Sequence, residues 1–199
     1  IAGSLPPLNG SFRPDRVRTV DEIEPLYREQ AEILAPHVDV FLCETMSHIN
    51  EAIAAARAAR STGKPVIVSF TLHEQNPAML RSGQSLQSAI AALGEVDLDG
   101  LCANCTLPER ILDAMPILAE SGLKYIGGYA NAFTHVPDDW LLDGEKITDG
   151  PLQLRDDLSP EIYSKFVGQW LNQGATLVGG CCGTLPSHIA AIKKNLGSR

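Results

Sequence analysis

Two cysteines stand side by side near the carboxyl end of the sequence, in the segment VGGCCGTLPSHI. Cys181 and Cys182 follow an apolar run and are flanked by Gly179, Gly180 and Gly183. Successive side chains of a strand point to opposite faces, so adjacent cysteines can share a ligand only where the strand ends and the chain bends. Glycine permits such a bend. A disulfide between neighbours would be strained, so a shared soft metal ion suits this pair better.

A metal held by two thiolates needs further ligands, and zinc prefers sulfur in tetrahedral coordination. Cys105 ends the run GLCANC, at a predicted strand end. Cys102 lies three positions earlier and faces the other way by strand alternation, whereas Cys43 is expected to face the helices. We therefore predict a Zn²⁺ site whose fourth position is open, as in catalytic zinc sites, with the ligands Cys105, Cys181 and Cys182.

Strand and helix alternate in the segments that must position these residues. Short runs rich in valine, isoleucine and leucine predict strands at 1–7, 38–46, 65–72, 99–106, 123–131 and 175–184. Amphipathic or alanine-rich segments predict helices at 19–37, 47–63, 85–96, 107–122, 158–174 and 185–196. The first helix is expected to bury the side that carries Ile23, Leu26, Tyr27, Ile33 and Leu34. Repeated strand–helix units predict a parallel α/β sheet.

Polar side chains finish several of the predicted strands. Glu44, Ser69, Asn104 and Asn131 each follow or close an apolar run. In parallel α/β proteins the functional site forms at the carboxyl ends of the strands. No strand is followed by GxGxxG, so the sequence does not favour a dinucleotide site. A carboxylate at the end of an apolar strand is harder to explain as a helix cap than as a binding group, which makes Glu44 a candidate.

Composition limits the classes of partner. A net charge of -8 argues against non-specific nucleic-acid binding, which needs a positive surface. No apolar run approaches the roughly 18 residues of a spanning helix, so no membrane partner is expected. The five cysteines do not form a secreted disulfide pattern. We expect a reducing, cytoplasmic compartment, in which clustered thiols bind metal or do chemistry.

The combination of GLCANC with VGGCCGTLPSHI resembles the homocysteine S-methyltransferase family, as do AGSLPP, FLCET and PVIVSFT at their relative positions. The resemblance runs over the whole chain and implies a (β/α)8 TIM-type barrel that transfers a methyl group to the thiol of homocysteine. It implies that Cys105, Cys181 and Cys182 hold the Zn²⁺ cofactor. It also implies that Glu44 contacts the substrate amino group and that Asn104 and Asn131 belong to the substrate site.

The chain departs from the family in length. Only six β/α units are found, and AGSLPP resembles the third strand of the barrel. We therefore expect residues 1–199 to form a single homocysteine-binding barrel domain that lacks its two N-terminal units. The expected partners are homocysteine and a small-molecule methyl donor, which would be a sulfonium, a quaternary ammonium or a corrinoid. The sequence does not indicate the oligomeric state.

Two other functions and the donor site stay open at this level. A thiol redox protein would use Cys181 and Cys182, although CxxC is missing. A truncated, non-catalytic barrel would bind zinc without homocysteine. The polar loop at 132–157 carries Trp140 beside Asp138, Asp139 and Asp143, and such groups can hold a cationic donor. A solvated acidic loop is the simpler interpretation of that segment.

Overall fold

A computed structural model describes residues 1–137 and 152–197 of the chain. Six parallel strands form one sheet in sequential order. They are β1 (Ala2–Leu5), β2 (Val40–Met46), β3 (Val66–Phe70), β4 (Gly100–Asn104), β5 (Tyr125–Ala130) and β6 (Leu177–Gly180). Sequential parallel order with a helix in every connection is the arrangement of a (β/α) barrel. The prediction of an α/β fold with six such units is confirmed, and the sheet is a half-barrel.

In the described ranges, six α-helices connect or follow the strands. They are α1 (Val20–Leu34), α2 (Ile49–Arg60), α3 (Leu86–Ala92), α4 (Pro108–Ala119), α5 (Pro160–Asn172) and α6 (Pro186–Leu196). Five of the predicted helices agree with these bounds to within a turn at each end. The third is shorter, because the chain turns at Leu93 and Gly94. The first closes in a short 3₁₀ turn, Ala35–His37.

The sheet has two unlike faces. The outer face packs on the helices in one large core, to which Phe41, Val68, Leu101 and Ala103 contribute. The inner face carries a small cluster of Ile67, Cys102 and Tyr129. Every residue of β3 and β4 is buried, as is usual for central parallel strands. The alternation of side chains along each strand therefore decides which residues reach the barrel interior.

Two expectations about side-chain direction are wrong. Cys102 was expected to face away from Cys105. Instead Cys102 lies on the inner face of the sheet, in the cluster against which Cys181 packs. Alternation fails as an argument here because β4 ends at Asn104 and Cys105 has a φ of 51°. In α1, Leu26 and Ile33 are exposed, since the buried stripe follows Ile23, Tyr27 and Ala31. Cys43 is buried in the helix-facing core, as predicted.

Glu51 is a buried carboxyl group in the first turn of α2. It accepts hydrogen bonds from the backbone N–H of Ser47 at 3.1 Å and from the Ser47 hydroxyl at 3.2 Å. Burial nevertheless raises the pKa of Glu51 from 4.5 to about 7. The folded protein therefore keeps this proton over a pH range in which the unfolded chain has released it.

Stability is expected to fall as pH rises from about 4.5 to about 7 because of Glu51. The size of the effect is about 3 kcal/mol. Glu51→Gln keeps an acceptor for Ser47 but cannot ionise. The difference in the free energy of unfolding between this variant and wild type should therefore shift by this amount in favour of the variant from pH 4.5 to pH 8. Urea unfolding at the two pH values measures this difference. Parallel pH curves for the two proteins would show that Glu51 is not responsible.

In the part of the chain that the structure describes, no helix combines the length and the apolar character needed to cross a bilayer.

Candidate metal centre and substrate site

The three predicted zinc ligands meet at the carboxyl end of the sheet. The Cys105 Sγ lies 2.8 Å from the Cys181 Sγ and 3.6 Å from the Cys182 Sγ. The Cys181 and Cys182 sulfurs are 4.0 Å apart. Within the described ranges, these three residues form the one group of at least three cysteine, histidine or acidic side chains close enough to hold a metal ion. All five cysteines are free thiols.

The donor set fits zinc. Tetrahedral coordination with zinc–sulfur bonds of about 2.3 Å places neighbouring sulfurs about 3.8 Å apart. The separations of Cys182 from its two partners are close to that value. The Cys105–Cys181 separation is shorter than that value. Three thiolate ligands with no fourth protein ligand would leave one coordination position for a substrate, as in catalytic zinc sites.

Hydrogen bonds among the thiols decide which of them carries charge. The bond from Cys105, followed by the bond from Cys181, lowers the pKa of Cys182 to about 3. The contact with Cys181, followed by that with Cys182, raises the pKa of Cys105. Cys182 is also the exposed member of the group. The cluster therefore favours a thiolate at neutral pH, and the thiolate is the form that binds metals.

A tight turn presents the vicinal cysteines. The Thr184 hydroxyl donates to the Cys181 carbonyl at 2.7 Å, and the Thr184 N–H donates to the same oxygen at 3.1 Å. Gly183 has a φ of +79°, and a Cβ there would lie 2.5 Å from Leu154. A Cβ on Gly180 would lie 2.3 Å from the Thr184 hydroxyl. The turn thus requires glycine at Gly183, because of its positive φ, and at Gly180, because of the close approach of Thr184.

Tyr163 of α5 fixes the two strand ends beneath this turn. Its hydroxyl accepts from the Ala130 N–H at 2.9 Å and lies 2.9 Å from the Gly179 carbonyl, to which it donates. The Cys181 N–H in turn donates to the Ala130 carbonyl at 2.9 Å. The side chain of a buried helix residue therefore holds the backbone that positions Cys181, one of the predicted zinc ligands. Tyr163 is not among the predicted site residues, because its position in an apolar helical pattern resembles that of any core residue.

Glu44 lies on the inner face of β2, at the predicted strand end. Its carboxylate accepts a hydrogen bond of 2.6 Å from the hydroxyl of Ser4 on the neighbouring strand. Glu44 is half-buried and lies on the same inner face of β2 as Leu42. Ser4 is likewise not among the predicted site residues, although it lies on the strand next to that of Glu44, at the same end of the sheet.

Asn104 is fully buried and directs both ends of its amide at Thr45. The Asn104 Oδ1 accepts from the Thr45 N–H at 2.9 Å, and its Nδ2 donates to the Thr45 hydroxyl at 2.9 Å. Thr45 has a φ of 63°, which is unfavourable for a β-branched residue. Asn104, which directly precedes Cys105, thus holds Thr45, which directly follows Glu44. The predicted contact of Asn104 with substrate stays a prediction.

Asn131 follows β5 and is also fully buried. Its N–H donates to the Thr106 carbonyl at 3.0 Å, and its Oδ1 accepts from the Phe133 N–H at 3.3 Å. The Asn131 Nδ2 has no hydrogen-bond partner among the described residues. The next residue, Ala132, donates its N–H to the Cys182 carbonyl at 2.8 Å, so Asn131 lies close to the cysteine turn. A free amide donor at this place is compatible with the predicted role of Asn131 in substrate binding.

Other candidates do not join the site. His48 caps α2 through its Nδ1, and the His188 Nδ1 accepts from the Leu185 N–H. Trp140 and the three aspartates of the proposed donor loop lie outside the described residues.

Comparisons with known proteins point to one family. The family model described as Homocysteine S-methyltransferase matches residues 1–196. The homocysteine S-methyltransferase of Escherichia coli K12 is 29% identical over 97% of this chain and 61% of its own length. The S-methylmethionine–homocysteine S-methyltransferase BHMT2 of Pongo abelii is 26% identical over 87% of this chain and 49% of its own. Betaine–homocysteine S-methyltransferase 1 of Rattus norvegicus is 25% identical over 88% of this chain and 44% of its own length.

A solved structure shares the fold. The metallated form of the homocysteine methyltransferase MmuM from Escherichia coli superposes with a TM-score of 0.75 at 25% identity. The superposition covers 98% of this chain and 60% of that enzyme. The chain thus spans between 44% and 61% of the length of the three curated relatives named here. With a match along almost its whole sequence and a trio of thiols at the carboxyl ends of its strands, this chain belongs to the homocysteine S-methyltransferase family.

Proposed function

We propose that residues 1–199 act as one homocysteine-binding barrel domain in the zinc-dependent transfer of a methyl group from an activated donor to the thiol of homocysteine. The product is methionine. One observation carries the proposal, namely that the sulfurs of Cys105, Cys181 and Cys182 lie within 4.0 Å of one another. Such a set can bind one Zn²⁺ and leave a position for the substrate sulfur.

Each part of the site has a separate task. The three thiolates hold the metal, and Tyr163 and Thr184 hold the turn that presents two of them. Zinc, when bound, keeps a coordinated thiol deprotonated near neutral pH, where a free thiol is largely protonated. Glu44 pairs with the substrate ammonium and orients it. Asn104 fixes Thr45, next to Glu44, and Asn131 offers its amide to the substrate.

Glu44→Gln is expected to raise the KM for homocysteine by about 10-fold or more, because a charged hydrogen bond becomes a neutral one. Zinc content should stay unchanged, since no thiol is touched. Steady-state kinetics on zinc-loaded protein measures the KM, and atomic absorption measures the metal. Glu161→Gln, on the exposed start of α5, is the matched control. An unaltered KM in Glu44→Gln would remove Glu44 from the substrate site.

The methyl donor is proposed as a class. Relatives of this chain are named for two donors, S-methylmethionine and betaine, which are a sulfonium and a quaternary ammonium. A corrinoid is the third candidate. Transfer assays with one donor of each class, at fixed homocysteine, separate them.

Two alternatives make different predictions. A thiol redox protein would show the same number of reactive thiols with and without a chelator, whereas a zinc site protects its ligands until the chelator is added. A non-catalytic barrel would bind zinc but not homocysteine. A cytoplasmic location is part of the proposal, because adjacent free thiols stay reduced in a reducing compartment.

A further inference from the structure

Tyr129 lies inside the half-barrel, one strand away from both cysteine segments. In the register of β5 it is opposite Asn104 on one side and Gly179 on the other. A Cβ on Gly179 would lie in ordinary contact with the Tyr129 Cβ, at 3.4 Å, so the two strand positions are direct neighbours. Tyr129 is 7% exposed and packs with Ile67 and Cys102. Cys181 packs against the same cluster, so Tyr129 lies close to one of the proposed zinc ligands.

The hydroxyl of Tyr129 is buried and has no hydrogen-bond partner among the described residues. The same holds for the hydroxyl of Ser69 on β3. Burial, followed by the charge of Glu44, raises the pKa of Tyr129, so the phenol keeps its proton. Ser69 and Glu44 are close enough to affect that pKa, but neither meets hydrogen-bond geometry. Two buried donors thus stand beside the one carboxylate of the proposed substrate site.

Buried hydroxyls are almost always hydrogen-bonded, and an unmade bond indicates a strained or functional position. In the present arrangement Glu44 is held on one side by the Ser4 hydroxyl, at 2.6 Å. A small movement of the carboxylate toward the barrel interior would bring it to Tyr129. The charge of a substrate ammonium gives a reason for that movement, because it draws the carboxylate toward the bound amino acid.

We propose that Tyr129 is a positioning residue for Glu44, donating its O–H to the Glu44 carboxylate in the substrate-bound state while Ser69 donates to the Tyr129 oxygen. The proposal deepens the proposed function and rests on it, since it assigns Tyr129 to the recognition of the substrate amino group. It explains why two hydroxyls lie in an otherwise apolar inner cluster. In this role Tyr129 acts through Glu44 and not on the reacting sulfur.

The test compares two thiols that differ only in the amino group. Homocysteine and 4-mercaptobutanoate are titrated into zinc-loaded protein by calorimetry, which does not depend on turnover. Tyr129→Phe should weaken homocysteine binding about 10-fold, the range of a hydrogen bond to a charged group. It should change binding of 4-mercaptobutanoate by less than about twofold. Tyr125→Phe, the same substitution on the same face of β5 at its other end, is the control and should alter neither.

Equal weakening of both thiols by Tyr129→Phe would overturn the inference in favour of a structural role, and so would unchanged binding of homocysteine. Ser69→Ala provides a second variant, with a smaller loss restricted to homocysteine. Should the unchanged zinc-loaded protein bind 4-mercaptobutanoate and homocysteine equally, recognition of the amino group is excluded, and the inference fails together with the role of Glu44, whereas binding of a thiol at the three-cysteine site stands. If it binds neither thiol, the proposed function itself fails, and the inference fails with it.

Discussion

Cys105→Ser is expected to lose zinc and, with it, methyl transfer. The Cys105 sulfur contacts both partner sulfurs, so its removal leaves two thiolates from a single turn. Mutation of a group that only orients a metal ligand lowers metal affinity by about 10- to 100-fold. Loss of a ligand should therefore lower zinc affinity by more than about 100-fold, measured by competition with a chromophoric chelator. Cys182→Ala should behave in the same way.

Cys43→Ala is the matched control for these variants. It also removes a thiol, but one that is buried against the helices on the outer face of the sheet. Its zinc affinity should equal that of wild type, although the core loses a small apolar group. Full zinc binding in Cys105→Ser, or zinc loss in Cys43→Ala, would contradict the assignment of the ligands.

Asn104→Ala is expected to destabilise the protein by about 3 kcal/mol, because it leaves the buried N–H and hydroxyl of Thr45 without their partner. Thr45 is held at a φ of 63°, so its release should also displace Glu44 and weaken homocysteine binding. Chemical denaturation and calorimetry measure the two effects. Asn172→Ala, at the exposed end of α5, should change stability by less than about 0.5 kcal/mol.

A second substitution tests the strain directly. Glycine adopts a positive φ without the penalty of a β-branched residue, so Thr45→Gly should recover about 1 kcal/mol in the Asn104→Ala background. In the wild-type background the same change should instead destabilise, since it removes the hydroxyl that Asn104 binds. Additive effects of the two substitutions would show that Asn104 does not act through Thr45.

The sequence predicted the strands and the residues at their ends because parallel strands bring their carboxyl ends to one edge. That reasoning joined Cys105 to Cys181 and Cys182, which are distant along the chain, and the structure brings them together. Strand alternation was not a valid ground for leaving Cys102 out of the metal group, because the alternation stops where Cys105 takes a positive φ.

Contacts between elements could not be predicted in the same way. Asn104 has the same strand-end pattern as Asn131, yet its amide is used on Thr45, whereas the Asn131 Nδ2 has no partner in the described segments. Tyr163 reaches the site across a helix–sheet interface, and no spacing along the sequence encodes that reach. Leu26 and Ile33 show the same limit, since a helical pattern does not tell which neighbour covers an apolar side chain.

The number of sulfur atoms around the zinc ion tests the central proposal most directly. X-ray absorption at the zinc edge should count three sulfurs at about 2.3 Å in the zinc-loaded protein, and four after homocysteine is added. A count below three without substrate, or a count that homocysteine leaves unchanged, would contradict a three-cysteine site with one position for the substrate thiol.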